Sequence, residues 1–405
     1  MLTESAPHYR QPLLRTPFHE RARELSQLDS FVPWAGYTTV DVFTSVEQEY
    51  FAIRNASSLF DLTPMVKYRV AGRDALRFLN RLVTRDVARL APGKVAYTVW
   101  CDDHGHLIDD GTVFALAPDE YRVCTGERQL DWFRASAIGF DVEIRDVTEE
   151  VAALAVQGPI SARLLRTVGL AGIERLKPFE HGEFSMPGGP AGRIAMRVSR
   201  TGFTGDLGYE LWMQPADAEA VWDELMEAGG PRAVRPVGSR ALNMARIEAG
   251  FLLPNLDFVS AAHTLYLGTE RSPIELGLAW LVDFNKGHFT GRRALLAEVA
   301  RGPRRQLVGL DVEGTKPAHN ALLYASRSGR REAGSVTSAI WSPTCKRNIA
   351  LAIVDAPFMA TGSTLWADIY LNRELAWERR MMRARVVERP FYAPARRRAT
   401  PPADF

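Results

Sequence analysis

The sequence predicts an α+β protein of two or three domains that ends in a small β-domain. Its 405 residues are enough to bury more than one hydrophobic core. Helical and strand patterns are mixed as far as about residue 295. From Arg305 to Glu388 the pattern changes to short strands broken by turns, among them 307–310, 334–338, 349–354 and 365–370. That change is typical of a separate β-domain.

Three helices are predicted from apolar residues spaced three and four positions apart. They run from Arg73 to Leu90, from Ala216 to Ala228 and from Ser239 to Ala249, and each is followed by a glycine within three residues. Trp222 lies on the apolar stripe of the second helix, so we expect it in the core.

Two adjacent aspartates lie in a predicted β-hairpin. Its strands, 95–101 and 106–114, are rich in β-branched and aromatic residues and flank the turn sequence Asp-Asp-His-Gly. A four-residue loop pairs position 101 with 106 and places Tyr97 opposite Asp110. Because neighbouring strand residues point to opposite faces, Asp109 and Asp110 cannot line the same cavity. The residues alone leave the choice of working carboxylate open, and the pairing with Tyr97 favours Asp110.

A further carboxylate follows a loop with three evenly spaced glycines. Gly202, Gly205 and Gly208 permit positive φ or let a ligand approach the backbone closely. Glu210 lies among the apolar residues of the returning strand 209–213, so it needs hydrogen-bond donors from the protein or from a ligand with a guanidine-like edge. The alternative is a solvent-facing glutamate beside an ordinary wide hairpin.

Composition excludes several classes of protein. Hydrophobic residues make up 46% of the chain and charged residues 24%, as in ordinary globular proteins. The formal net charge of +2 argues against a nucleic-acid partner, and no apolar run approaches the roughly 20 residues that span a membrane. Three well-separated cysteines (Cys101, Cys124 and Cys345), with no secretory leader at the N-terminus, favour a reducing, cytoplasmic setting. His104 and His106 are interpreted as solvated turn residues, and no metal site is expected.

Eight segments, in the same order along the chain, resemble blocks of the glycine-cleavage T-protein family. They are residues 31–37, 58–65, 108–110 (Ile-Asp-Asp), 154–159, the glycine loop at 200–211, 238–250, 272–280 and 342–350. Because the segments cover nearly the whole chain, the resemblance is specific. In motif the chain is most similar to the tetrahydrofolate-dependent demethylase and methyltransferase branch of that family.

The resemblance implies a three-domain, folate-binding architecture. It combines ferredoxin-like or mixed α+β domains with a small C-terminal domain that resembles a β-barrel. We expect a discontinuous folate-binding domain of residues 1–62 and 147–295, and a second α+β domain, 63–146, that carries the aspartate hairpin. A C-terminal β-domain at 300–392 and a flexible tail at 393–405 complete the expected order.

The resemblance also implies a tetrahydrofolate site in a central hole ringed by the domains. Asp110 would be its catalytic residue, Glu210 would hold the amino edge of the pterin, and Arg240 would be a second polar anchor. The alternatives are a surface cation for Arg240 and a core ring for Trp280. The remaining expected folate contacts are Tyr97, Phe203, Trp280 and Met65.

Three departures from the family pattern bear on the reaction. Phe203, Pro64 and Ala241 stand where the glycine-cleavage protein has tyrosine, histidine and aspartate. They favour transfer of a methyl group from a small N-, S- or O-methylated compound to tetrahydrofolate. The alternative is aminomethyl transfer from a lipoylated carrier protein, which gives 5,10-methylenetetrahydrofolate and ammonia, and a non-catalytic folate-binding protein is a third hypothesis. A homodimer is compatible with each.

Overall fold

The computed structural model describes residues 13–189, 192–265 and 268–402. Residues 1–12, on which the expectation of no secretory leader falls, and residues 403–405 of the expected tail lie outside the described residues. Within the described parts, no helix has the length and apolar character needed to cross a membrane.

Eight α-helices lie in the described residues. In chain order they are α1 (His19–Leu25), α2 (Val46–Asn55), α3 (Ala75–Leu82), α4 (Leu130–Ser136), α5 (Ser161–Thr167), α6 (Ala218–Ala233), α7 (Ser239–Glu248) and α8 (Arg292–Arg301). Inside α6, Gly230 (φ 61°) interrupts the helical backbone close to where the sequence predicts a stop.

Nineteen strands lie in the same residues, together with several three-residue 3-10 helices. The strands of the first two thirds of the chain are β1 (Ser30–Trp34), β2 (Tyr37–Val42), β3 (Ser57–Asp61), β4 (Val66–Ala71), β5 (Val95–Cys101), β6 (Leu107–Ala117), β7 (Glu120–Thr125), β8 (Glu143–Asp146), β9 (Ala152–Gln157), β10 (His181–Pro187), β11 (Arg193–Ser199), β12 (Gly208–Met213) and β13 (Val234–Pro236). The strands of the C-terminal region are β14 (Arg305–Val312), β15 (Leu322–Tyr324), β16 (Glu332–Ser342), β17 (Arg347–Asp355), β18 (Thr364–Arg373) and β19 (Ala376–Val387).

The strands assemble into three large sheets and one small one. A six-stranded sheet has the order β10-β11-β12-β9-β3-β13, and a five-stranded antiparallel sheet has the order β5-β6-β7-β4-β8. The C-terminal strands close into a six-stranded barrel, and β1 and β2 form a two-stranded sheet. The predicted α+β class and C-terminal barrel are thereby confirmed.

Each large sheet falls within one of the domains expected from the sequence. The six-stranded sheet uses residues 57–61 and 152–236, the five-stranded sheet uses 66–146, and the barrel uses 305–387. We therefore retain as a proposal the division into residues 1–62 with 147–295, 63–146 and 300–392.

The six-stranded sheet covers two different cores. Tyr209, Leu211 and Met213 of β12 point into a cluster shared with α5 and α6, in which Trp222 is only 2% exposed as expected. Glu210 and Trp212 alternate with them and face the opposite side. There Trp212 joins a cluster that includes residues of the five-stranded sheet, so the two sheets pack face to face.

The first predicted helix is shorter than expected. Helix α3 ends at Leu82, and Val83 is already extended and bridges to Trp100. The ammonium of the buried Lys286 donates to the carbonyl oxygens of Val83 and Arg85 at 2.5 and 2.7 Å. A residue some 200 positions away thus binds the extended backbone that follows α3, in a stretch where the local apolar pattern predicts a helix as far as Leu90.

Candidate active site

Asp110 lies on β6 and is held by a tyrosine of the neighbouring strand β5. The Tyr97 hydroxyl donates to Oδ2 of Asp110 over 2.6 Å. The predicted register was wrong, because β5 and β6 pair Tyr97 with Thr112 and Val99 with Asp110, and a bulge next to Trp100 shifts the pairing. A shift of two residues keeps side chains on the same face, so the predicted contact forms along a diagonal of the hairpin.

Asp109 points to the opposite face and is part of the protein interior. It is 1% exposed, and its carboxylate accepts hydrogen bonds from Gln129 Nε2 at 2.9 Å and from the Asp110 backbone N–H at 2.8 Å. Burial, and then the adjacent Asp110 charge, raises the pKa of Asp109 well above its ordinary value. Asp109 is thus a structural carboxyl, and Asp110 is the one with a partly exposed side chain.

Burial also sets the protonation of Asp110 and its partner. It raises the pKa of Asp110 to about 6, although the hydrogen bond from Tyr97 favours the ionised form. Burial raises the pKa of the Tyr97 hydroxyl well above 10, and the Asp110 charge adds to that rise. Near neutral pH the pair is therefore a neutral phenol donating to a carboxylate that is close to its titration range.

Glu210 lies on β12, where it is 9% exposed. The Thr201 hydroxyl donates to its Oε2, and the Ser199 hydroxyl approaches the same oxygen at 3.4 Å. Among the described residues no hydrogen bond reaches the other oxygen, Oε1. Burial raises the pKa of Glu210 to about 7, against the lowering effect of the two hydroxyls.

Asp110 and Glu210 belong to the facing surfaces of the two packed sheets. Phe114 of β6 contacts Trp212 of β12 at 5.3 Å between ring centroids, and both residues point into the space between the sheets. Strand alternation directs Asp110 to the same side as Phe114, and Glu210 to the same side as Trp212. Burial raises the pKa of Cys124 to about 11, and the charge of Glu210 contributes to that rise. Cys124 is the strand partner of Thr112 of β6. The two carboxylates therefore lie in one layer, on the same side of the Phe114–Trp212 contact.

The glycines of the loop make room for a protein side chain. A Cβ atom at Gly202 or Gly208 would overlap the amide of Gln157, which donates to the carbonyl oxygens of Thr201 and Tyr209 at 3.1 and 3.2 Å. The sequence led us to expect positive φ or close approach of a ligand. Positive φ occurs at Gly205 (71°), whereas at the other two glycines the close approach is made by Gln157.

Phe203 is part of a stack that the sequence did not reveal. Its ring lies parallel to that of Phe251, with centroids 5.5 Å apart and an interplanar angle of 18°. The guanidinium of Arg397 covers Phe251 at 5.1 Å from the ring centroid, and burial lowers the pKa of Arg397. These three side chains bring together the glycine loop, the segment after α7 and the C-terminal end of the chain.

The other expected site residues are distributed differently. Trp280 is 64% exposed and contacts Tyr97 at 6.2 Å between ring centroids, so it is not a core ring. Met65 is partly buried against the cluster between the two sheets. Arg240 is a largely exposed cation at the start of α7 and pairs with Asp41 at 2.7 Å, with no described contact to the other expected residues.

A buried ionic cluster next to the glycine loop was missed from the sequence. Arg54 of α2 donates to Glu248 of α7 at 2.6 Å and to Asp206 of the loop at 3.4 Å, and all three side chains are at most 2% exposed. Glu248 also accepts hydrogen bonds from the Tyr50 and Ser342 hydroxyls. The sequence contained one indication of this cluster. Glu248 is a charged residue flanked in sequence by the apolar Ile247 and Ala249.

The C-terminal residues also depart from the expected flexible tail. The Arg396 guanidinium forms two hydrogen bonds with Asp206, at 2.6 and 2.8 Å. The Arg200 side chain donates to the carbonyl oxygens of Arg397 and Ala399 at 3.3 and 2.6 Å. Residues 395–399, hereafter the C-terminal segment, are thus bound to the glycine loop, and the expectation of a free tail is wrong for the described residues.

Comparison with known families covers almost the whole chain. The family described as "GCVT N-terminal domain" matches residues 19–286, and that described as "Glycine cleavage T-protein C-terminal barrel domain" matches residues 305–393. The boundary between the two matches falls just before the strands of the closed barrel.

Individual relatives show the same similarity along their full length. The chain is 31% identical over 385 residues to the aminomethyltransferase of Caldanaerobacter subterraneus, covering 94% of this chain and 96% of that protein. It is 34% identical over 371 residues to the aminomethyltransferase of Geobacillus thermodenitrificans, covering 90% and 95%. The crystal structure of glycine cleavage system aminomethyltransferase T from Bartonella henselae superposes with a TM-score of 0.81 at 25% identity, covering 94% of this chain and 98% of that one.

Proposed function

The chain belongs to the glycine cleavage T-protein family, and from this premise we propose that it is a tetrahydrofolate-dependent aminomethyltransferase. Its donor is an aminomethyl group on the sulfur of a lipoylated carrier protein. The methylene carbon passes to two nitrogens of tetrahydrofolate, and each nitrogen loses one proton. One proton goes to the carrier sulfur, which leaves as a thiol, and the other goes to the amine, which leaves as ammonia. The sequence favoured a small methylated donor, but the relatives named aminomethyltransferase support the carrier reaction better.

One observation carries the proposal. Asp110 and Glu210 lie in the layer between the two sheets, and the hydroxyls that hold them, from Tyr97 on Asp110 and from Thr201 and Ser199 on Glu210, bind one oxygen of each carboxylate. The other oxygen of each is not a buried atom without a partner, so it is open to solvent and can accept from a ligand that brings N–H groups. A reduced pterin has such groups on its amino-pyrimidine edge and at its reactive nitrogens.

Asp110 is assigned to the reacting end of tetrahydrofolate. A carboxylate next to the transferring carbon stabilises the positive charge that develops on an iminium-like transition state. Its pKa of about 6 also allows it to accept or return a proton near neutral pH. Tyr97 holds Asp110 in place through the 2.6 Å hydrogen bond, and the exposed Trp280 lies beside Tyr97 as a wall of the site.

Glu210 is assigned to the amino edge of the pterin. With Oε2 occupied by Thr201 and Ser199, Oε1 is left to accept from the ligand. Two N–H donors would favour the ionised form and lower the pKa of Glu210 from about 7. Ligand binding would then release protons from the protein at or below neutral pH.

The aromatic residues are assigned to the flat parts of the acceptor. Phe203 stacks on Phe251 beneath the Arg397 guanidinium, which has no described carboxylate partner and so suits an anionic or electron-rich portion of the folate. Met65 lines the layer between the sheets. Arg240 is kept as the second polar anchor for the folate. It is assigned to the outer part of the site, because its side chain is 66% exposed and pairs with Asp41.

A second candidate function rests on the three departures from the family pattern. Pro64 and Ala241 are buried, and Phe203 is stacked against Phe251, so the polar groups that the family carries at these positions are replaced by apolar ones. This favours transfer of a methyl group from a small N-, S- or O-methylated compound, with the same use of Asp110 and tetrahydrofolate.

The test is mass spectrometry of the folate products formed by the purified full-length chain. One reaction contains tetrahydrofolate and an aminomethylated lipoyl carrier. Parallel reactions contain tetrahydrofolate with glycine betaine, dimethylglycine, sarcosine or dimethylsulfoniopropionate and no carrier. The Asp110→Asn variant is the matched control in each.

Formation of 5,10-methylenetetrahydrofolate and ammonia only with the carrier supports the proposal. Formation of 5-methyltetrahydrofolate from a methylated compound without the carrier replaces it with the second candidate. If wild type and Asp110→Asn give the same product at the same rate, the assignment of Asp110 is wrong.

A further inference from the structure

The C-terminal segment contacts the glycine loop at two places. Arg200, at the start of the loop, donates to backbone oxygens of residues 397 and 399, and Asp206, near its end, binds Arg396. The segment follows the barrel in sequence, whereas the loop joins β11 to β12. The end of the C-terminal domain therefore holds the loop that precedes Glu210.

Arg396 is the principal connection between the two. Its Nε and Nη2 bind the two oxygens of Asp206, and Nη2 also donates to the backbone oxygen of Arg54 and to the Tyr392 hydroxyl, both at 3.1 Å. The Asp206 side chain is fully buried and Oδ1 also accepts the Leu207 N–H at 2.8 Å. This bidentate geometry fixes orientation as well as charge.

The charges of this junction balance only when Arg396 is present. Asp206 and Glu248 are two buried carboxylates, and Arg54 and Arg396 are the two guanidinium groups that pair with them. Without Arg396, Arg54 alone faces both carboxylates. Asp206 would then have to move, with the loop, toward solvent or toward Arg54.

We propose that Arg396 is a positioning residue that sets the affinity for the folate acceptor without touching it. It aligns the glycine loop with the C-terminal segment, so that Arg397 covers Phe251 and Phe251 stacks on Phe203 of the loop. This inference rests on the proposed function for the identity of the acceptor. The bond between loop and segment is independent of it.

The experiment compares Arg396→Ala, Arg396→Lys and the exposed-neighbour control Arg398→Ala in the full chain. Tetrahydrofolate binding is measured by quenching of tryptophan fluorescence, folding by thermal unfolding, and loop order by hydrogen exchange of residues 200–208. We expect Arg396→Ala to weaken binding about tenfold, with Arg396→Lys intermediate and Arg398→Ala unchanged. Exchange in the loop should rise in Arg396→Ala, which should also lower the unfolding temperature because the buried Asp206 loses a partner, whereas Arg396→Lys keeps the charge and should hold both closer to wild type.

Two results would overturn the inference: unchanged binding in Arg396→Ala, or lost binding that accompanies a large drop in unfolding temperature and is not restored by lysine. The second would mean that the arginine serves folding alone. If wild type itself does not bind tetrahydrofolate, the proposed function fails instead. Hydrogen exchange then decides the inference, because unchanged exchange in Arg396→Ala contradicts it and faster exchange supports it.

Discussion

The Tyr97 hydroxyl donates to Asp110 Oδ2 over 2.6 Å although the two residues are not cross-strand partners. The contact runs diagonally across the β5–β6 hairpin, from Tyr97 to the residue two positions before its partner Thr112. It gives Asp110 a fixed orientation through Oδ2, and in the proposed site Oδ1 would accept from the ligand.

Removing the tyrosine hydroxyl should move the acid limb of the pH–rate profile. The hydrogen bond favours ionised Asp110, so Tyr97→Phe raises the pKa of Asp110 above its value of about 6. If the ionised form is active, the midpoint of the acid limb moves to higher pH. Profiles of kcat/KM for wild type, Tyr97→Phe and the barrel control Tyr370→Phe would show this. An unmoved midpoint would mean that the acid limb does not report Asp110.

The two adjacent aspartates should respond very differently to amide substitution. Asp110→Asn removes the charge beside the reacting carbon and is expected to lower kcat about 100-fold or more. Asp109 already has a strongly raised pKa, so Asp109→Asn resembles its protonated form and should cost less than about tenfold. Turnover and tetrahydrofolate binding are measured on both. Equal losses of kcat in the two variants would contradict the division of roles.

Binding of tetrahydrofolate should depend on pH through Glu210. Burial raises the pKa of Glu210 to about 7, and in the proposed site the carboxylate is the form that would accept the pterin N–H groups. Affinity should therefore fall as pH decreases below about 7, and Glu210→Gln should bind weakly with a flatter dependence. Calorimetric titrations between about pH 5.5 and about pH 8.5, a range that brackets the Glu210 pKa of about 7, test this. A steep dependence that persists in Glu210→Gln would assign it to another group.

Folding stability should show the opposite trend at the same residue. A carboxyl whose folded pKa is raised binds more protons in the native state, so its ionisation costs stability progressively between the unfolded value of 4.5 and about 7. The cost is absent below pH 4.5 and complete above pH 7. Glu210→Gln should thus gain more in unfolding temperature over wild type at about pH 8, above the folded pKa, than at about pH 5, near the unfolded value of 4.5. A gain that is independent of pH would contradict the raised pKa.

The buried cluster around Glu248 should be important for folding. Glu248→Ala leaves the buried Arg54 without its closest partner and removes the acceptor of two hydroxyls. We expect a loss of about 3–5 kcal/mol in the free energy of unfolding. Glu227→Ala, on the exposed face of α6, should change it by less than about 0.5 kcal/mol. Urea unfolding of both variants measures the difference, and a loss similar to that of the control would show that Arg54 finds another partner.

Local pattern was sufficient for the class of the fold and for several site residues. Strand alternation separated Asp109 from Asp110, and the turn sequence at 102–105 located the hairpin that carries them. Helical spacing placed α6 and α7 within a few residues and Trp222 in the core. These features depend on the chemistry of neighbouring residues, which a single sequence contains.

Other features required residues that are distant in sequence. Lys286 binds the backbone that follows α3, Gln157 fills the space left by Gly202 and Gly208, and Arg396 binds the glycine loop. No local periodicity contains such contacts, and a bulge next to Trp100 was enough to change the hairpin register.

The sequence by itself thus determined the α+β class, the C-terminal barrel and the face of the hairpin to which Asp110 belongs. Tertiary structure alone decided that Glu210 shares a layer with Asp110, that Arg240 is an exposed cation paired with Asp41, and that the C-terminal segment is bound to the loop. The physical reason is that burial, desolvation and ion pairing are properties of the packed chain. They set the protonation of each carboxylate and the partner of each arginine only after segments far apart in sequence have come together.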